Sequence, residues 1–161
     1  MNLIVAAIFT LGVLQPESAP AWSYSLPTGH ADIVKGFIRP AHRYAPGHRG
    51  TDWAAPPGTT VHALGDGYVT FVGRVGGVPT VSVDHGPLIS SYQPVRATVA
   101  PGEDLDDGDQ IGVVVTGVHC SSPCVHIGLR RKEWTISTPT VDPYVDPVAW
   151  LERRPVLKST L

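Results

Sequence analysis

Residues 58–92 read GTTVHALGDGYVTFVGRVGGVPTVSVDHGPLISSY, and their pattern decides the fold. Strand-like runs recur in it at Thr60–Ala63, Tyr68–Val72, Thr80–Val83 and Leu88–Tyr92. Turn signals separate them at Gly65-Asp66-Gly67, Gly76-Gly77 and Asp84 to Pro87. Outward from there, Pro101 to Gly108 is another turn, and Gln110–Val114 and Val125–Leu129 are two more runs. Short β-rich runs with regular turns predict an all-β domain, a mainly antiparallel sandwich or barrel. Only the end reads as helix: Asp146 can cap, Pro147 fits the first helical position, and Val148 to Arg153 supply one or two turns.

Composition agrees. With 17 Gly and 16 Pro among 161 residues, the composition argues against a helical bundle and for short strands joined by turns. At 42% hydrophobic the chain is too apolar for disorder. Twelve Lys and Arg against 14 Asp and Glu give a net charge of −2, which argues against nucleic acid as a partner. Two cysteines rule out a disulfide-dense miniature scaffold.

Leu3 to Leu14 reads LIVAAIFTLGVL, too short for a bilayer span of about 20 residues. Ala19-Pro20-Ala21 follows as an A-x-A-like cleavage site, so residues 1–21 read as a signal peptide despite the absence of an early Lys or Arg. The expectation is a mature protein that is secreted, without an integral membrane span. Residues 22–43 hold little periodicity and are expected to wrap the sheet. Residues 44–154 form the domain, and 155–161 a tail.

In Gly47-His48-Arg49-Gly50-Thr51-Asp52 an imidazole and a carboxylate stand four apart. A straight strand would separate them by about 13 Å, so sharing one metal ion requires a bend, and Gly50 is where it is expected. His126 is a third potential ligand. Two nitrogens and one oxygen suit zinc with an open fourth position, where a hydrolase activates water.

These residues resemble the lysostaphin and LytM type of zinc endopeptidases, which cut peptide cross-links in bacterial cell walls. His48-Arg49-Gly50-Thr51-Asp52 fits the family's H-x-x-x-D signature. Further likeness lies in Asp52–Thr59, Gly65–Val69, Val83-Asp84-His85-Gly86 and a hairpin from Val99 to Gly112. The resemblance covers roughly residues 44 to 131. It implies a small antiparallel β domain, one zinc ion on His48, Asp52 and His126, and peptidoglycan peptide as substrate. It also exposes a departure. The family's H-x-H has Cys124 in place of its first His, and Pro94 stands where another catalytic His would follow Tyr92 by two residues. All three ligands are kept and both other histidines are missing.

Cys124 shares a strand face with His126, and its readings stay open. It can pair with Cys120 as a disulfide, serve as a thiolate fourth ligand, or stay an inert buried thiol. His119, just before Cys120, is a replacement general base in one reading and a solvated loop residue in the other. Tyr92 either hydrogen-bonds substrate or is a half-buried strand tyrosine. His62 and His85 read as structural, Arg130-Arg131-Lys132 as a solvated strand end, and Glu103 to Asp109 as a solvated turn. Two functions follow: an exported zinc endopeptidase acting on peptidoglycan, or a catalytically inactive zinc-binding module that binds cell wall or regulates another wall hydrolase.

Overall fold

The computed structural model describes residues 26–29, 32–117, 120, 122–132 and 142–152. The expected signal peptide and tail lie outside them. The described strands are β1 (Ile33–Lys35), β2 (Gly50–Ala54), β3 (Thr60–His62), β4 (Gly67–Val75), β5 (Val78–Asp84), β6 (Leu88–Gln93), β7 (Val95–Ala97), β8 (Asp104–Leu105), β9 (Gln110–Val114), β10 (Cys124–Arg131) and β11 (Tyr144–Val145). One helix, α1, covers Pro147–Glu152.

The strands form two antiparallel sheets. The larger runs β1-β2-β10-β6-β5-β4-β8, with β11 also on β10, and the smaller runs β3-β9-β7. Between them lies the core, where Trp53, Tyr92, Val81, Val83, Val125 and Ile127 of the large sheet meet Val61, Val95, Ile111 and Val114 of the small one. A satellite cluster of Leu88, Leu129 and Val145 takes Trp150 of α1. The Val148 N–H donates to Asp146 Oδ1 at 3.0 Å, so the expected cap forms.

The β4–β5 hairpin turns at Gly76-Gly77, with φ of 57° and 84°. Positive φ at both central residues is what a two-residue hairpin turn of the right twist demands, and glycine meets it without a Cβ penalty. Two expectations are refined. Residues 22–43, expected to wrap the sheet, also contribute a strand to it: Ile33–Lys35 joins the sheet edge beside β2. Its three residues are all exposed, so no alternation marks it. The segment Val99 to Gly112 is not a hairpin closed on itself. Its β8 pairs with β4 in the large sheet, while β9 pairs with β3 and β7 in the small one.

Candidate metal centre

β2 and β10 run antiparallel with His126 opposite Asp52, and on the other side of β10 His126 is opposite Gln93 of β6. Asp52, His126 and Gln93 therefore share one row and one face of the large sheet. The alternate residues, Trp53, Val125, Ile127 and Tyr92, point into the core. His48 lies outside β2, in an isolated bridge with Ile38.

The three side chains meet. His48 Nε2 is 3.1 Å from Asp52 Oδ1 and 3.1 Å from His126 Nδ1, and His126 Nδ1 is 2.7 Å from Asp52 Oδ1. All three residues are buried. His48 Nδ1 lies 2.7 Å from the Gly36 carbonyl oxygen, which only accepts, so Nδ1 carries the proton and donates. In the neutral ring the Nε2 lone pair then faces Asp52 and His126. Such an outer partner is the usual device for orienting a ligating imidazole. Arg49 Nε donates to the buried carboxylate of Asp142 at 2.8 Å, tying the backbone between His48 and Gly50 to the segment before β11.

Gly50 contributes by lacking a side chain rather than by an unusual backbone, since its φ is not positive. A Cβ there would stand 2.5 Å from His126 Nε2 and would also strike the Ile127 carbonyl oxygen. Its face lies between His48 and Asp52 along the chain, so the vacant volume lets the His126 ring approach. The expected bend at Gly50 is thus better described as room made at Gly50, with regular pairing beginning only there.

The donor chemistry fits zinc: two imidazole nitrogens and one carboxylate oxygen, buried and convergent, with one imidazole held in its tautomer by a backbone carbonyl.

Beside this cluster, Cys120 and Cys124 have Cα atoms 6.1 Å apart, a span that suits a disulfide, and their sulfurs are in bonding contact. Both sulfurs also lie within 4.8 Å of an Asp52 carboxylate oxygen. The two cysteines form one wall of a cleft of about 230 Å³ whose other sides include Ala55, Pro57, Pro94 and Val114. Pro94 follows a cis peptide bond and is buried.

His119 lies outside the described residues. Tyr92 does not support the substrate-contact reading. It is fully buried, its hydroxyl accepts the Leu64 N–H at 3.0 Å, and the Ser90 hydroxyl is also 3.0 Å away. Strand alternation turns it from the face that carries His126. Gln93 is the residue the sequence reading missed. Counting one step past Tyr92 on a strand would have found it. Its side-chain amide lies 3.3 Å from the Thr80 hydroxyl, which donates to the nearer Val78 carbonyl at 3.0 Å.

Among the described residues, His62, His85 and Lys132 are held in structural contacts. His62 Nδ1 is 2.8 Å from the Gly108 carbonyl. His85 Nδ1 is 2.8 Å from the Asp66 carbonyl, and its Nε2 is 2.7 Å from Ser90 Oγ. Burial pushes the His85 imidazole below its ordinary value, outweighing that carbonyl and the nearby carboxylates. Lys132 pairs with the buried carboxylate of Asp84 at 2.7 Å, so this strand end is less simply solvated than expected.

The fold and site together define a class, an all-β sandwich with a buried His-Asp-His cluster of metal-ligand type beside its large sheet. The model of Peptidase family M23 matches residues 46–139, more than half of the chain, and this chain belongs to that family. The uncharacterized protein Rv2891 of Mycobacterium tuberculosis is 35% identical over 127 residues, covering 77% of this chain and 49% of that protein. The chain thus spans about half the length of that relative. The DD-carboxypeptidase/endopeptidase Mpg of Neisseria meningitidis serogroup B is 34% identical over 85 residues, 52% of this chain and 20% of Mpg. The catalytic domain of the antimicrobial peptidase lysostaphin from Staphylococcus simulans has the same fold. Its TM-score is 0.61 at 19% identity, over 75% of this chain and 92% of that one.

Proposed function

We propose that this chain is an exported zinc-dependent endopeptidase that cuts peptide bonds of peptidoglycan. The observation that carries the reading is the convergence of His48 Nε2, Asp52 Oδ1 and His126 Nδ1, all within 3.1 Å of one another and buried beside a cleft. Membership of the M23 family supports it. Among the described residues no helix is long and apolar enough to cross a membrane.

One zinc ion is held by His48, Asp52 and His126. When bound, zinc supplies Lewis-acid polarisation of a peptide carbonyl and makes water more acidic. The Gly36 carbonyl keeps the His48 proton on Nδ1, and Gly50 leaves the volume that the His126 ring fills. Gln93, in the same row as His126, carries an amide that can donate to a substrate carbonyl. The cleft beside Pro94 and Val114 takes a small side chain of the peptide. The Cys120–Cys124 disulfide closes the loop that leads into β10. His119 is the proton acceptor. The replacement of both other histidines of the family pattern, by Pro94 and Cys124, motivates that role.

The test is the purified secreted chain on purified cell wall, with zinc content measured in parallel. One zinc per chain and chelator-sensitive release of new amino termini are the expected results. His119→Ala is expected to slow release by about 10²–10⁴-fold with zinc retained. Pro94 and Cys124, where the family places its other histidines, favour a second reading, a non-catalytic zinc module that binds wall or regulates another hydrolase. Zinc and wall binding without new amino termini would select it.

A further inference from the structure

The Asp52 carboxylate belongs to two donor clusters at once. One is His48–Asp52–His126. The other is Asp52–Cys120–Cys124, whose ligand atoms also lie within 4.8 Å of one another. Cys124 stands two residues before His126 on β10 and faces the same way. We infer that the Cys120–Cys124 pair is a redox-controlled second half of the metal centre. With the disulfide formed, the ion has the three-ligand set and an open position. With it reduced, one thiolate of the pair, Cys124 on the strand face of His126, takes that single position as fourth ligand, leaving the enzyme latent. This inference rests on the metal-centre reading above.

Three observations carry it. First, the distance is short. Both sulfurs lie within 4.8 Å of an Asp52 carboxylate oxygen, in a donor set that shares that carboxylate but neither imidazole, so a thiolate reaches the ion by swinging across Asp52. Side-chain rotation supplies that once the S–S bond is gone. Second, the chemistry changes with the bond. A disulfide sulfur is a poor ligand, whereas a thiolate is among the best for zinc. Third, a reductant has access. Cys120 is partly exposed, while Cys124 is buried, and both line the open cleft.

The step balances with a dithiol as reductant. One of its thiolates attacks Cys120 Sγ, and Cys124 leaves as thiolate. The second thiol of the reductant then resolves the mixed disulfide. The protein disulfide gains two electrons and the dithiol becomes a disulfide. The proton that Cys124 would otherwise take up passes to solvent when its sulfur binds the ion.

The test uses the full secreted chain loaded with cobalt(II), oxidised or reduced with a trialkylphosphine, which ends as the phosphine oxide. Reduction is expected to bring in thiolate-to-cobalt charge-transfer absorption in the near ultraviolet. It is also expected to tighten zinc, in competition with a chromophoric chelator, by at least about tenfold, the lower end of what even an outer-shell partner contributes. Bound zinc should shield the Cys124 thiol from alkylation. Cys120→Ser should show the charge-transfer absorption without reductant, and Cys124→Ser should lose it. Cobalt bound in both states with no charge-transfer absorption on reduction overturns the redox inference and leaves the three-ligand centre standing. So does reduction that unfolds the chain. No cobalt bound in either state overturns the metal-centre reading itself, and this inference with it.

Discussion

Tyr92→Phe separates a core role from a site role. The hydroxyl removed is fully buried and part of a chain of hydrogen bonds whose direction can be worked out. The Asp66 carbonyl only accepts, so His85 donates from Nδ1, and neutral His85 accepts at Nε2 from the Ser90 hydroxyl. Ser90 has then spent its proton, so Tyr92 donates to Ser90 Oγ and accepts from the Leu64 N–H. Phenylalanine leaves that buried N–H without an acceptor, a cost of about 1–3 kcal/mol. At about 4 °C per kcal/mol for a domain of this size, Tm falls by about 4–12 °C. Urea melts should show a lower midpoint with the same slope. Zinc content should not change, because the ring faces away from His126. The wild-type spectrum adds a second check. Burial pushes the Tyr92 phenol up to about 12, so one of the five tyrosines should titrate late, and it should be absent from the variant. An unchanged Tm together with lost zinc or lost hydrolysis would refute the placement of this hydroxyl in the core.

Gly50→Ala puts a methyl 2.5 Å from His126 Nε2 and against backbone, so zinc content and stability should fall together by at least about 3 kcal/mol in urea melts; wild-type values for both would contradict the packing argument. Burial raises the Asp84 carboxyl, but the Lys132 ammonium, the Gly86 N–H and the Tyr68 hydroxyl outweigh it and hold it below the usual range. The unfolded chain therefore binds the extra proton, and the stability present above about pH 4 is lost as pH falls further. Lys132→Met should flatten that acid limb in a plot of Tm against pH, and an unaltered limb would count against the pair. His85, kept neutral by burial, makes stability decline as pH drops below about 6.5, where the unfolded imidazole takes a proton and the folded one does not. In His85→Gln the slope between about pH 7 and pH 5 should shrink; if it stays, another group carries it.

What could be read from the sequence divides along a physical line. The hairpin at Gly76-Gly77 was legible because two adjacent residues needing positive φ admit few other sequences. The cap at Asp146 was legible for the same local reason. β1 was not, because an edge strand exposed on both sides has no hydrophobic period to betray it. The pairing of β2 with β10 joins residues 74 apart, Asp52 and His126, and no local pattern specifies such a register. Only the likeness of H-x-x-x-D and the later His to a known family pointed there. Tyr92 stayed open between substrate contact and strand packing because its residue type suits both, and only its partners Leu64 and Ser90 in the folded chain place its hydroxyl in the core.

The two departures from the family pattern belong to one wall, and that bears on what they mean. Pro94 and Cys124 line the same cleft. A Cβ at Gly117 would stand 2.6 Å from Pro94 Cγ, so the residue without a side chain at 117 is matched to the proline. Cys124 is likewise matched to Cys120, the partner its sulfur touches. Isolated loss of a histidine would leave a gap or an unpaired polar group in a buried site, at a cost the rest of the fold would have to offset. Here each replacement comes with a packing partner, and the His-Asp-His cluster next to them keeps its backbone lock from Gly36. The wall is therefore rebuilt rather than eroded. It trades two imidazoles for a proline and a pair of sulfurs placed against the Asp52 carboxylate of the His-Asp-His cluster.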